Sequence, residues 1–144
     1  MKTLFDTSTL VQAMVQSLDR HARAAPWLQR AVRGEFQWVV AAHTVAELYA
    51  VLTVLPISPR ITPADARRMI RENIERHATI VALSPREYWD VIRQLSEAGM
   101  IGGVVYDALL CKVARKASVQ RVLTFNVAHF QRVWPDGAKI IVAP

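Results

Sequence analysis

The 144 residues fit one domain large enough to bury its own core, and the single cysteine, Cys111, excludes an intrachain disulfide framework and favours a reducing, cytoplasmic setting. Eighteen Lys and Arg against twelve Asp and Glu give a net charge of +6, which favours a polyanionic partner such as nucleic acid without identifying one. Asp6 interrupts the N-terminus before an apolar run of signal-peptide length can form, and the longest apolar stretch, 38–55, is broken by His43 and Glu47, which argues against export and against a membrane span.

Leu4-Phe5 begins a short strand that stops at Asp6-Thr7-Ser8-Thr9, a run of residues that cap helices by accepting backbone hydrogen bonds. Leu10, Val11, Met14, Val15 and Leu18 then recur at three-to-four-residue spacing and predict a helix with one buried face. Residues 19–25 read as a connection or loose helical turn. Pro26 suits the first position of a second helix carrying Trp27, Leu28, Ala31 and Val32, and Gly34 suits its end. Phe36 to Val40 has the composition of an interior parallel strand.

Thr44-Val45-Ala46-Glu47 has capping-box spacing, in which a hydroxyl and a carboxylate satisfy opposite orphan N–H groups at a helix start. Val51 and Leu55 stand four and eight positions beyond Glu47, however, so the acid also heads an apolar stripe and can point inward. The residues alone leave both readings open. Thr62-Pro63-Ala64-Asp65 and Ser84-Pro85-Arg86-Glu87 each combine a cap, a first-turn proline and a third-position acid, which makes Asp65 and Glu87 structural. The first opens a helix with Ala66, Met69, Ile70 and Ile74 inward and Arg67, Arg68 and Arg71 outward; the second opens one carrying Tyr88, Trp89, Ile92 and Leu95. Thr79 to Leu83 between them reads as a strand.

Gly102-Gly103 feed the helix start Val104-Val105-Tyr106-Asp107, and Cys111 and Ala114, four and seven positions on, put Asp107 on a small apolar face. An unpaired carboxylate there costs several kcal/mol, so a positive group should meet it, unless Asp107 only offsets the orphan N–H groups of the first turn. Arg121 to Thr124 reads as another buried strand, Val127 to Phe130 as a helical turn, and Lys139 to Val142 as a last strand. Strands alternating with helices imply a mainly parallel sheet of about five strands, covered on both faces.

In such sheets ligands collect beyond the carboxyl ends of the strands. Asp6 and Asn126 each follow a predicted strand, Glu47 follows the second by a few residues, and Asp107 opens the helix leading to the fourth, so the four groups are placed to converge. Carboxylates gathered without lysines repel one another unless a cation offsets their charge, and an all-oxygen set selects magnesium or manganese. His21, His43, His77 and His129 lack paired zinc-ligand spacing and read as surface or boundary residues, and Cys111 lies inside an apolar helix pattern rather than in a nucleophile's setting. Between Asp107 and Asp136 the chain carries Lys112, Arg115, Lys116, Arg121 and Arg132 with no acid, so one end of the molecule should be positive.

Four segments, Leu4-Phe5-Asp6-Thr7-Ser8, Thr44-Val45-Ala46-Glu47-Leu48, Tyr106-Asp107-Ala108-Leu109-Leu110 and Leu123-Thr124-Phe125-Asn126-Val127-Ala128-His129-Phe130, give the chain a resemblance to the PIN-domain nucleases, in particular the VapC-type ribonuclease toxins of type II toxin–antitoxin modules. The resemblance implies one PIN domain over residues 1–144, of three-layer α/β/α architecture. It implies that Asp6, Glu47 and Asp107 are metal ligands for Mg2+ or Mn2+, that Asn126 completes the catalytic set, and that Thr7 or Ser8 and Thr124 orient ligands or water. Asn126 departs from the aspartate many members carry there, and a neutral amide adds less charge, which bears on whether one metal or two is held. The implied reaction is hydrolysis of an RNA phosphodiester; the distribution of charge offers Lys112, Arg115 or Lys116 to hold the RNA backbone, and the same residues also read as ordinary solvated helix positions. The implied partners are RNA, a cognate VapB-type antitoxin that covers the site, and a second copy in a homodimer. The competing readings are a catalytically weak PIN-fold RNA-binding protein and a PIN nuclease acting on DNA or in RNA processing.

Overall fold

The computed structural model describes residues 1–144, in the order β1 (Lys2–Phe5), α1 (Thr7–Met14), α2 (His21–Val32), β2 (Gln37–Ala41), α3 (Ala42–Val54), α4 (Pro63–Ile70), a π-helical turn (Arg71–Glu75), β3 (Thr79–Val81), α5 (Pro85–Glu97), α6 (Val104–Lys116), β4 (Arg121–Leu123), α7 (Val127–Val133), a 3-10 segment (Pro135–Ile140) and β5 (Ile141–Val142). The strands form one sheet in the order β3-β2-β1-β4-β5, parallel throughout. Leu4 lies beside Val39 on one side and Val122 on the other.

Successive strand residues point to opposite faces, and the core divides accordingly. Phe5, Trp38, Val40 and Leu123 pack with Leu10 of α1, Leu28 of α2, Leu48 and Leu52 of α3 and Ile74 of the π turn. Leu4, Val39, Val122 and Ile141 pack with Leu110, Val113 and Ala114 of α6 and Phe130 of α7. Helix α5 reaches this second layer through α6, where Val91 meets Ala108 and Leu109. The result is the expected three-layer α/β/α arrangement, with both faces of a short, apolar sheet covered. No helix is long and apolar enough to cross a membrane.

The strand order fixes where a site can form. The chain steps outward from β1 to β2 to β3, then returns to the other side of β1 with β4, so the carboxyl ends of β1 and β4 flank the point where the winding reverses. Asp6 follows one and Thr124 the other.

Several elements differ from the sequence expectation. Helix α1 ends at Met14, Val15 being extended, so Leu18 packs against the core from the following loop rather than from the helix. Helix α2 begins at His21, five residues before Pro26, which therefore lies inside it. That proline leaves the Ala22 carbonyl without its helical donor, a loss that water can offset because both residues are exposed. Gly34 ends the segment with φ +73°, a conformation that glycine reaches without a Cβ clash.

Helix α4 keeps Ala66 and Ile74 inward as expected but widens into a π turn after Ile70. There the Asn73 side-chain amide donates to the Met69 carbonyl at 2.8 Å, taking the acceptor that a regular α-helix would give to the Asn73 N–H. Both clean helix starts hold: Thr62 accepts from the Asp65 N–H, and Ser84 and Glu87 form a complete capping box. On α5, however, Trp89 and Ile92 face solvent and Val91 is the buried residue. Strand β5 is only two residues long, because Pro135–Ile140 is wound as a 3-10 turn.

Candidate active site at the carboxyl edge of the sheet

Asp6 is the residue that β1 delivers to this edge. Its backbone ends the strand by donating to the Leu123 carbonyl at 3.2 Å, and its side chain caps α1 by accepting from the Thr9 N–H at 2.9 Å. Capping does not exhaust it. Ser8 Oγ donates to both carboxylate oxygens, at 2.8 and 3.0 Å, and Thr124 Oγ1 donates to Oδ2 at 2.6 Å. The directions are fixed by the next contacts, since the Phe125 N–H donates to Ser8 Oγ and the Asn126 N–H to Thr124 Oγ1. A carboxylate offers roughly four acceptor positions, so these donors leave little more than one for anything else. Asp6 is only 4% exposed, and burial raises its pKa, opposed by the hydrogen bonds from Thr124, Thr9 and Ser8.

Glu47 comes from the second turn of α3, which settles the two readings of the Thr44–Glu47 segment. The helix starts at Ala42, its N-cap is Ala41 without a side-chain cap, and Thr44 is already inside it and buried. The capping-box alternative fails because the helix begins earlier than the threonine. The carboxylate instead accepts from Thr7 Oγ1 at 2.9 Å, across forty residues of sequence. Asp107 comes from the first turn of α6, which has no side-chain cap. Burial raises its pKa; His129 pulls it down, the charges of Asp6 and Glu47 push it up, and Arg132 pulls it down.

Asp6, Glu47, Asp107 and Asn126 line one cleft of about 100 Å³, so all four residues singled out in the sequence meet. None of the three acids forms a salt bridge to a lysine or arginine. No three His, Cys, Asp or Glu side chains close into a ready metal cage, an open spacing that suits carboxylates repelling one another. Three carboxylates and an amide oxygen, one carboxylate buried and partly saturated, with mutual repulsion that no salt bridge offsets, fit a hard divalent cation that keeps waters of its own.

The cleft also contains residues the sequence did not single out. His43 stands one helical turn before Glu47 and lines the cleft with it; burial lowers its pKa and the Glu47 charge raises it. Tyr106 and Phe130 line it too. A histidine at i−4 from a candidate ligand on the same helix was the available signal, visible only once Glu47 is known to point inward.

The positive residues expected on α6 lie elsewhere. Lys116 donates to Glu87 at 2.6 Å and to the Ala82 carbonyl at 2.9 Å, holding the Glu87 carboxyl down at about 2. Arg115 stacks over Trp134, and Lys112 and Arg115 border a separate, largely apolar cavity of about 220 Å³ between α5, α6 and α7. Lys112 and Lys116, five and nine positions beyond Asp107, fall on other faces of α6, and Arg115, eight positions on, is engaged with Trp134.

The PIN domain family model matches residues 3–133. Ribonuclease VapC27 of Mycobacterium tuberculosis is 34% identical over 109 residues, covering 76% of this chain and 74% of its own. The chain is a PIN-domain protein of the VapC type. Ribonuclease VapC40 of the same species is 30% identical over 115 residues, with 80% of each chain covered. Among solved structures, the M. tuberculosis VapC20 toxin, which cleaves the sarcin–ricin loop, superposes with a TM-score of 0.69 at 14% identity, covering 88% of this chain and 92% of that one. VapBC2 of Rickettsia felis, bound to a DNA fragment from its promoter, gives 0.65 at 16% identity, covering 100% and 99%. At such identities these two likenesses speak for the fold, and the VapC-type PIN fold is the architecture described above.

Proposed function

We propose that residues 1–144 form a single PIN domain that acts as a divalent-cation-dependent endoribonuclease, the toxin of a VapBC-type toxin–antitoxin pair. The observation that carries this reading is the meeting of Asp6, Glu47 and Asp107 in one cleft with no salt bridge from a lysine or arginine. Ribonuclease VapC relatives at 30–34% identity support the substrate class, and the VapBC architecture among structural neighbours supports a VapB-type antitoxin. In this reading Asp6, Glu47 and Asp107 hold Mg2+ or Mn2+, and Asn126, neutral, orients water or phosphate beside them. The cation, when bound, offsets charge on the phosphate and lowers the pKa of water. The chain's own part is to hold the acids: Thr124, Ser8 and the Thr9 N–H fix Asp6, and Thr7 fixes Glu47. Trp89 and Ile92, exposed on α5, supply apolar surface that a second copy would cover in the homodimer. Reducing conditions suit the one buried thiol, Cys111, in a cytoplasmic protein.

Cleavage of structured RNA by wild type and Asp107→Asn, with magnesium, manganese or chelator, tests the proposal. Cutting by wild type with either cation, abolished by chelator and reduced at least about a hundredfold by the substitution, is the expected outcome. Equal activity of both proteins under all conditions sinks it, and cutting of duplex DNA with RNA spared replaces the substrate.

A further inference from the structure

Phe125 separates Thr124, whose hydroxyl holds Asp6, from Asn126, which lines the cleft. Its ring packs against the core cluster that includes Leu10 of α1 and Leu28 of α2, and it carries two guanidinium groups: Arg20 lies 5.0 Å and Arg23 5.3 Å from the ring centroid. Arg20 immediately precedes α2 and Arg23 lies in its first turn. Because all five strands are parallel, Phe125 beyond β4 and Pro144 beyond β5 stand at the same edge as Asp6, and Arg23 donates to the Pro144 carbonyl oxygen at 3.1 Å. The two arginines therefore stand at the same edge of the sheet as the acid cleft, outside its lining.

Neither forms a salt bridge with a carboxylate side chain; the neighbouring Asp19 instead accepts from Gln12. The loop that carries Arg20 is tied down, since the Arg20 N–H donates to Gln12 Oε1 at 2.9 Å and His21 Nδ1 meets the Gln12 carbonyl at 2.8 Å. Two like charges are thus fixed on one ring, and neither meets an Asp or Glu side chain. Stacking leaves the in-plane N–H edges of a guanidinium free, the geometry that grips phosphate oxygens, and it covers the aromatic face that a base would otherwise use. After its bond to Pro144, Arg23 retains further N–H donors.

We propose that Arg20 and Arg23, seated on Phe125, form a phosphate-binding lip that holds the RNA backbone beside the acid cleft. The proposal rests on the ribonuclease reading for its choice of polyanion. It assigns the grip on the backbone to the start of α2, where the sequence had placed it on α6.

The test is fluorescence anisotropy of a labelled single-stranded RNA in EDTA over a series of KCl concentrations, with R20Q/R23Q compared to a charge-matched R121Q/K139Q. Arg121 opens β4 and Lys139 precedes β5, at the opposite edge of the sheet. Wild type and R121Q/K139Q are expected to bind alike to within about twofold, while R20Q/R23Q binds about tenfold more weakly at low salt. Its log–log salt slope should be shallower by roughly 1.4, about 0.7 for each single-strand phosphate that is no longer neutralised. R20Q alone, which spares the bond to Pro144, should carry about half of that change. Equal binding by the two double variants, or no RNA binding by wild type, overturns the lip. A binding difference that persists while wild type cuts no RNA with magnesium sinks the nuclease reading and leaves the lip standing.

Discussion

Thr124 stands between a backbone N–H and a buried carboxylate, accepting from one and donating to the other, so its single hydrogen has one place to go. That makes it a positioning residue for Asp6. Thr124→Val keeps the shape and removes the donor; cleavage or magnesium affinity is expected to fall about 10–100-fold, the usual cost of losing a group that orients a metal ligand. Thr124→Ser keeps the hydroxyl and should retain most activity, and a magnesium titration of initial rates reads both variants. Unchanged magnesium dependence in Thr124→Val would remove the residue from this role. Thr3 is the opposite case: its hydroxyl is fully buried in β1 with no partner. Thr3→Val substitutes an apolar group of the same shape and should stabilise the protein by about 1 kcal/mol in urea unfolding, because the orphaned hydroxyl no longer forfeits its water.

At the scale of elements, the sequence was read best where local chemistry decides the outcome. The caps at Thr62 and Ser84 depend on contacts within four residues, and both form. The Thr44–Glu47 pattern had the same spacing and did not become a cap, because β2 runs directly into α3 and the helix starts at Ala42. A spacing rule cannot register that. Pro26 misled for a related reason: a proline is most comfortable at a helix start, but α2 tolerates it internally where the orphaned carbonyl faces water. Trp89 and Ile92 have helical spacing with Leu95, yet α5 turns Val91 inward, towards Ala108 and Leu109 of α6.

For the whole molecule, three acids gathered without a salt-bridge partner should make the metal-free protein pay for them at neutral pH. Asp107 has a raised pKa in the folded state, burial being the main cause, so its contribution to stability is fully present below the unfolded value near 3.8 and is lost as pH rises through the folded value. In EDTA, Asp107→Asn is therefore expected to melt higher than wild type at pH 7, with the difference closing as pH falls towards 3.8. Magnesium should reverse the order. At a hundred times Kd it stabilises wild type by about 2.7 kcal/mol and leaves Asp107→Asn nearly unmoved. Differential scanning fluorimetry reads both arms, and a wild-type melting point indifferent to magnesium and manganese would remove the cation from the proposal.

The amino-acid sequence by itself determined the alternation of strands and helices, the parallel sheet and the identity of the four residues in the cleft, because hydrophobic period, turn chemistry and acids in apolar surroundings are all local signals. Tertiary structure decided what those residues touch. Thr7 reaches Glu47 across forty positions because β2 pairs with β1 and leads into α3, and Thr124 reaches Asp6 across more than a hundred because β4 returns to lie against the other side of β1. The same return sets Phe125 under Arg20 and Arg23 and leaves Lys116 turned towards Glu87. Charge counted along the chain located the basic residues; which of them stand at the rim followed from the order in which the strands pack.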